Sequence, residues 1–237
     1  VQATQSGVVD YSTAMHRTIQ QLSNSGLRII QYHPESGRLY SQSVEAAVRR
    51  NLLDGVRAIN QGVQDEVGKE YDSDGKEITV HANSAPDHEP IQGHQFTNEE
   101  YEKLQNSEPF QDVNGNKFTA IERHIGEYNC QHFTYSIIIG VSKPIYTQEQ
   151  LDRIIENNNK GYTDKSGQHR TMYECTQEQR RMERLIRQAR KDIMMGEESG
   201  DAKLTEKGKA NLAKWEKIYS EFSKSCGLST KYSNTKI

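Results

Sequence analysis

Four side chains able to bind a metal or move a proton fall in two short stretches far apart in the chain. His81 and His88 frame the first, His81-Ala82-Asn83-Ser84-Ala85-Pro86-Asp87-His88, which runs on to Gln92-Gly93. Cys130 and His132 lie in the second, Gly126-Glu127-Tyr128-Asn129-Cys130-Gln131-His132. Thiolate and imidazole are zinc ligands, and the four together would make a tetrahedral set of one cysteine and three histidines. Cys130 and His132, two residues apart, project to one face wherever the chain is extended. Cys-x-His is not a usual zinc spacing, however, and no second paired cysteine accompanies it. The alternative is a buried thiol and hydrogen-bonded histidines that tie a loop to a strand. A third reading makes Cys130 a nucleophile with a histidine near it and Asn129 adjacent, a pairing that is spatial rather than sequential. Asp87, Glu89 and Glu127 would serve an active site as general base or ligand-orienting carboxylates, and otherwise cap turns. The chain carries no phosphate-binding glycine loop, no HExxH and no nucleophile elbow. His16, His33, His94, His124 and His169 have no recognisable spacing, and only His94 lies near the first stretch.

The elements that must position these residues follow from periodicity and punctuation. Residues 10–25 read as a helix through Met15, Ile19 and Leu22, followed by a turn, a short Leu27–Tyr32 segment of open type and a break at His33-Pro34. Ser43 caps a stronger helix whose apolar positions Val44, Ala47, Val48, Leu52, Val56, Ile59 and Val63 recur at three- and four-residue steps. It is expected to run to Val67 and stop at Gly68. Arg49 and Arg50 sit on it, Arg49 beside the apolar stripe, where an arginine often reaches a carboxylate or carbonyl. Lys76–His81 alternates as a strand after the Asp74-Gly75 turn, with Ile78 and Val80 on one side. Pro86 and Pro90 put His88 on a loop. Thr97 with Glu100 three residues on predicts a capping box for a small helix over 97–105. Asn114-Gly115 predicts a hairpin with Thr119–Ile121 continuing the return strand. Phe133–Ile139 reads as the best strand in the chain, ended by Gly140 and Pro144.

Thr147 caps a helix of about Gln148–Asn157, and Gly161–Gly167 reads as a polar linker. Met182, Leu185, Ile186, Ala189, Ile193 and Met194 form one helical stripe from Thr176 on. Leu204, Leu212, Trp215, Ile218, Tyr219 and Phe222 form another after Gly196 and Gly200, which predicts an antiparallel helical hairpin with a loose tail after Gly227. The expected organisation is α+β and helix-rich: a domain over 1–158 with a small central antiparallel sheet flanked by helices, then a linker, hairpin and tail over 159–237.

Only 33% of the 237 residues are hydrophobic and 27% are charged, so the core must be small for the length. Net charge is −3, unevenly spread. The segment from Thr176 holds 14 Lys and Arg against 9 Asp and Glu, a net +5 that leaves −8 for the rest. The basic hairpin is a candidate DNA contact, although its interleaved acids fit an ordinary solvated helix pair. Three cysteines at wide spacing form no disulfide framework and suit a reducing compartment. No apolar run approaches the length of a membrane span and no secretory signal is visible. The first residue is Val1 rather than Met, which suggests a domain cut from a longer protein.

His81-x6-His88 with Pro86, then Gln92-Gly93, then Asn129-Cys130-x-His132 resembles the tailed-phage minor capsid protein 2 family and is similar, more distantly, to the Mu F-like head-morphogenesis proteins. Upstream, Gly37-Arg38-Leu39-Tyr40-Ser41-Gln42 leading into Ala47-Val48-Arg49-Arg50 matches a third block. The resemblance covers about residues 10–158. Three positions depart from the family pattern: Ala85 replaces an arginine before Pro86, Ile91 a tryptophan before Gln92, and Gln131 the arginine between cysteine and histidine. The lost arginines count against a charge-stabilised active site and leave a structural role intact. The resemblance implies a virion component of the phage head, present in the host cytoplasm during assembly. Its partners would be the portal or other capsid proteins, and its action in virion assembly or DNA packaging and delivery. In that reading the His/Cys cluster holds the fold, with or without zinc. The runner-up is an enzyme: a metal-dependent hydrolase at His81, His88, Cys130 and His132, or a transferase-like toxin domain using Arg49 or Arg50 with Glu127.

Overall fold

A computed structural model describes residues 13, 28–33, 38–121, 123–126 and 130–237. The helix expected over residues 10–25 lies outside these, apart from Thr13, which is helical. The chain divides into two compact units, Val1–His81 with Pro86–Thr147 and Ala82–Ala85 with Gln148–Ile237.

In the first unit β1 (Arg28–His33) and β2 (Arg38–Ser43) pair antiparallel, Arg28 opposite Ser43. The segment after Leu27 is therefore a strand. Ser43 turns the chain into α1 (Val44–Glu70), its extended backbone freeing the side-chain oxygen to accept from the Ala46 N–H at 3.2 Å. The helix does not stop at Gly68. It passes through that residue to Glu70, because Gly68 is a point of close approach rather than a terminator: a Cβ there would lie 2.4 Å from the Ser136 hydroxyl oxygen.

The sheet has three antiparallel strands in the order β4–β3–β7: β3 (Gly75–Ile78) lies between β4 (Gln95–Thr97) and β7 (Thr134–Ile137). β3 is shorter than the alternation predicts, and β7 is the central four residues of the Phe133–Ile139 run. Thr97 caps α2 (Asn98–Gln105) by accepting from the Glu100 N–H. The Glu100 carboxylate does not reach back to the cap but accepts from the Gln111 N–H at 2.8 Å, fastening the next hairpin to the helix. That hairpin pairs β5 (Phe110–Gln111) with β6 (Lys117–Phe118) around Asn114-Gly115, and the return strand ends at Phe118. The core is small, as composition requires: Ile78, Phe96, Leu104, Phe110, Ile121 and Cys130 are all in it.

α1 meets this body through polar side chains. Gln61 donates to the Thr134 hydroxyl at 2.8 Å and accepts from the Thr134 N–H at 3.0 Å. The Ser136 hydroxyl donates to the Gln64 carbonyl, and Lys76 pairs with Asp65. Of the stripe predicted to face inward only Ala47 is buried, while Val56, Ile59 and Val63, together with Leu53 and Val67, are 42–57% exposed. Val44, Val48 and Leu52 are half-buried, and from Leu53 on the helix is turned the opposite way from the expectation. Its period is right, but β7 presents Thr134 and Ser136 to it, so the polar face is the one that docks.

The second unit opens with α3 (Gln148–Lys160). The segment expected to be a linker folds as a hairpin, β8 (Tyr162–Thr163) with β9 (His169–Arg170), its turn organised by Asp164, which accepts from the Ser166 and Gln168 N–H groups. α4 (Met172–Ser199) starts earlier than expected, with a reciprocal capping box between Thr171 and Glu174, and ends at Gly200. α5 (Ala202–Ser225) returns antiparallel, and Met182, Ile186 and Tyr219 are buried between the two helices. α4 runs through Gly196 because Thr205 of α5 lies against it, where a Cβ would come within 2.4 Å of the hydroxyl oxygen. The tail expected to be loose is tied down: the Lys231 N–H donates to the Tyr219 hydroxyl, Asn234 bonds Glu183 and Arg187, and Thr235 is buried in a short 3-10 turn, Tyr232–Thr235. Cys175 and Cys226 are both buried free thiols.

Candidate functional site

Backbone pairing brings the two histidine-bearing stretches together. Beyond the end of β3 the Thr79 N–H donates to the Phe133 carbonyl, and the Phe133 N–H donates to the Thr79 hydroxyl, so residues 130–133 run beside the entrance to the first stretch. That stretch then makes a loop of turns closed at its neck, where the Ile78 N–H donates to the His94 carbonyl and the Gly93 N–H to the Ile78 carbonyl. Gly93 has φ 75°, a conformation that favours glycine, and it is what lets the chain turn back to the sheet immediately after Gln92. His88 hangs from this loop with its carbonyl accepting from the Ile91 and Gln92 N–H groups.

His88, Cys130 and His132 meet. The Cys130 Sγ lies 3.3 Å from His88 Nδ1 and 3.4 Å from His132 Nδ1. The three are 1%, 4% and 4% exposed. One donor atom from each falls within 4.8 Å of the others. His88 Nε2 donates to the Arg123 carbonyl at 2.6 Å. A carbonyl can only accept, so this nitrogen carries the proton. His132 Nε2 faces Gln92 Oε1 at 3.2 Å, and the same oxygen accepts from the His81 backbone N–H at 2.9 Å. The backbone donor identifies that atom as the amide oxygen, so His132 Nε2 carries a proton as well.

His81 packs its ring edge-on against His132, centroids 4.6 Å apart, with its Nε2 on the Gln131 carbonyl at 2.8 Å. It stands beside the three-donor group rather than within it. Burial, with His132 beside it, lowers the His81 pKa. Burial alone would push the Cys130 thiol up, but the hydrogen bonds it shares with His132 and His88 outweigh it and bring the pKa down to about 5. For His88 burial works downward and is outweighed by the bonds to Cys130 and the Arg123 carbonyl, so its pKa is raised.

Asp87 Oδ2 stands 3.6 Å from His88 Nε2. Both of its oxygens take the Arg123 guanidinium, at 2.7 and 3.1 Å, and this fixes the segment whose carbonyl holds His88. Glu89 is half-buried. Glu127 and Asn129 lie outside the described residues. Arg49 and Arg50 are half-buried on α1, about 10–12 Å along the axis from Arg57. Arg57 is the α1 arginine that reaches this region, donating to the Gly126 carbonyl at 2.9 Å. Arg57, Arg123 and the acceptor role of Gln92 carry no local sequence signal, since each acts across 35 residues or more or through a single buried atom. His94 belongs to a separate pair with Asp112, Nδ1 to Oδ2 at 2.7 Å. The family departures are absorbed locally: Ala85 and Ile91 are buried, and Gln131 is exposed with its carbonyl on His81.

A low-pKa thiol between two imidazoles could attack an electrophile or hold a soft metal ion. Burial separates these readings, because a nucleophile needs a substrate beside it and these three side chains are covered by protein.

The sequence model of the family described as Phage minor capsid protein 2 matches residues 1–223, and the chain belongs to that family. The likeness extends past residue 158 and takes in most of the helical hairpin. No curated protein and no solved structure matches the chain. Family membership makes this a structural protein of the phage virion that works among other phage structural proteins. Among the described residues no helix is long and apolar enough to cross a membrane.

Proposed function

We propose that this chain is a head-morphogenesis protein that docks on the portal through the outward face of α1 and acts in virion assembly or in DNA packaging and delivery. The orientation of α1 carries the reading. A 27-residue helix fastens its polar side to the body and turns Leu53, Val56, Ile59, Val63 and Val67 outward at helical spacing. Such a stripe is what a partner helix or groove takes up. The His–Cys cluster fits a clasp that holds the loop and the strand under α1 in fixed register. An enzyme built on the cluster would need an open face at these donors, and their burial speaks against one. DNA contact through the C-terminal hairpin finds no support in its side chains, where Arg181 pairs with Glu178 and Arg190 with Glu216.

The test is binding of the purified chain to the portal protein of the same phage, with Val56→Lys/Val63→Glu as the variant. Both positions are exposed, so stability should stay within about 0.5 kcal/mol of the parent. Burial of two such side chains is worth about 3 kcal/mol or more, so affinity should fall by at least about 100-fold. Unchanged affinity for the portal in the folded variant refutes this docking face.

A further inference from the structure

We propose that His88 Nδ1, Cys130 Sγ and His132 Nδ1 hold one zinc(II) ion, with a water-derived fourth ligand, and that this ion locks the loop of the first stretch to the strand leading into β7. The inference stands independently of portal docking.

The cluster has too few protons for its lone pairs. A neutral imidazole has one N–H, and in both histidines that N–H is committed on the far side of the ring, to the Arg123 carbonyl for His88 and to Gln92 Oε1 for His132. Both Nδ1 lone pairs therefore point at the same sulfur, 3.3 and 3.4 Å away. A thiol has one proton and can donate it to only one of them at a time, so the two rings compete for it. Protonating both rings around a thiolate restores two hydrogen bonds at the cost of a net positive charge in a covered site. A divalent cation resolves the conflict at once, because it accepts all three lone pairs and the thiolate offsets part of its charge.

The geometry is close to what such an ion needs. Zinc–sulfur and zinc–nitrogen bonds of about 2.3 and 2.05 Å at the tetrahedral angle set sulfur and nitrogen about 3.6 Å apart. The two observed separations fall short by only a few tenths of an ångström. The outer partners also match a metal centre. Each imidazole has its remote N–H held by an oxygen acceptor, and the Arg123 segment behind His88 is fixed in turn by Asp87. One thiolate with two imidazoles favours zinc over magnesium or calcium, which prefer an oxygen shell. His81 is not a ligand, since its Nε2 is on the Gln131 carbonyl.

The experiment is metal analysis of the full chain purified from zinc-supplemented medium, then replacement of the metal by cobalt(II) and absorption spectroscopy. About one equivalent of zinc is expected, along with a thiolate-to-cobalt charge-transfer band and the intense visible bands of a tetrahedral site. Cys130→Ser and His132→Ala should lose the metal, and His81→Ala should keep it. The cobalt spectrum is read on the unaltered chain, so the result does not depend on any variant folding. A folded chain with less than about half an equivalent overturns the proposal. A cobalt spectrum without the thiolate band also overturns it, and loss of metal in a folded His81→Ala protein overturns the three-donor assignment.

Discussion

Gln92 is 2% exposed, and its single amide oxygen accepts two N–H groups, the His81 backbone at 2.9 Å and the His132 ring at 3.2 Å. Replacing it with leucine keeps the volume near its own and removes the acceptor from both donors. A buried donor left without a partner costs about 1–3 kcal/mol. His132 is buried and should take the upper part of that range, whereas the half-buried His81 backbone has some access to solvent and should take the lower part. Gln92→Leu should therefore destabilise the protein by about 2–4 kcal/mol, a large share of the 5–15 kcal/mol that holds an ordinary domain together. The variant has a second consequence. In the metal-free chain, with nothing to hold its Nε2 proton, the His132 ring should move that proton to Nδ1, where Cys130 can take it. Gln92→Glu keeps an oxygen at the same place and should recover at least half of the loss at neutral pH, with the His132 tautomer restored. Urea unfolding followed by circular dichroism measures the first effect, and side-chain nitrogen shifts of His132 measure the second. If the leucine variant lies within about 0.5 kcal/mol of the parent and His132 keeps its tautomer, the reasoning that fixes the protons in this cluster is refuted.

Two glycines of α1 should respond to alanine with opposite signs. Gly62 has nothing within 4 Å of an added Cβ, so Gly62→Ala should stabilise by up to about 1 kcal/mol; Gly68→Ala, driven against Ser136, should lose about 1–3 kcal/mol, both read from urea midpoints. At Asp112 burial works upward on the carboxyl, but the bonds from His94 and Asn116 outweigh it and hold the pKa below its ordinary value. Its contribution to stability is therefore complete above the ordinary carboxyl range and disappears as pH falls through the lowered value, so urea midpoints between about pH 5 and pH 2 should fall more steeply for the parent than for Asp112→Asn.

The parts of this fold legible in the sequence are those set by near neighbours. Ser43 and Thr97 each accept the N–H three residues on, and the Asn114-Gly115 turn closes its hairpin, because caps and tight turns are decided within four residues. At the site the residue types and the shared face of Cys130 and His132 could be read, but the meeting with His88 could not. Nor could the separation of His81 from the other three donors, which depends on a Gln131 carbonyl occupying His81. Arg123, Arg57 and Gln92 act through a backbone carbonyl or one amide oxygen, and such bonds leave no periodic trace.

The misreading of α1 is of a different kind and says more about function. Hydrophobic periodicity gives the width and spacing of an apolar stripe, and the inward direction is then assumed because a chain folding alone must bury it. Here the body offers two hydroxyls and the Lys76 ammonium to the helix, and Gln61, Gln64 and Asp65 answer them, while Gly68 lets β7 come close to the helix. The polar face is thus built to dock, with partners matched residue by residue, and is not a solvated face turned inward by accident. A protein that acted alone would gain from the reverse arrangement. The exposed side of α1 makes sense in a chain whose final environment includes other proteins, and the same helix that misleads a sequence reading of the core is the surface on which assembly should depend.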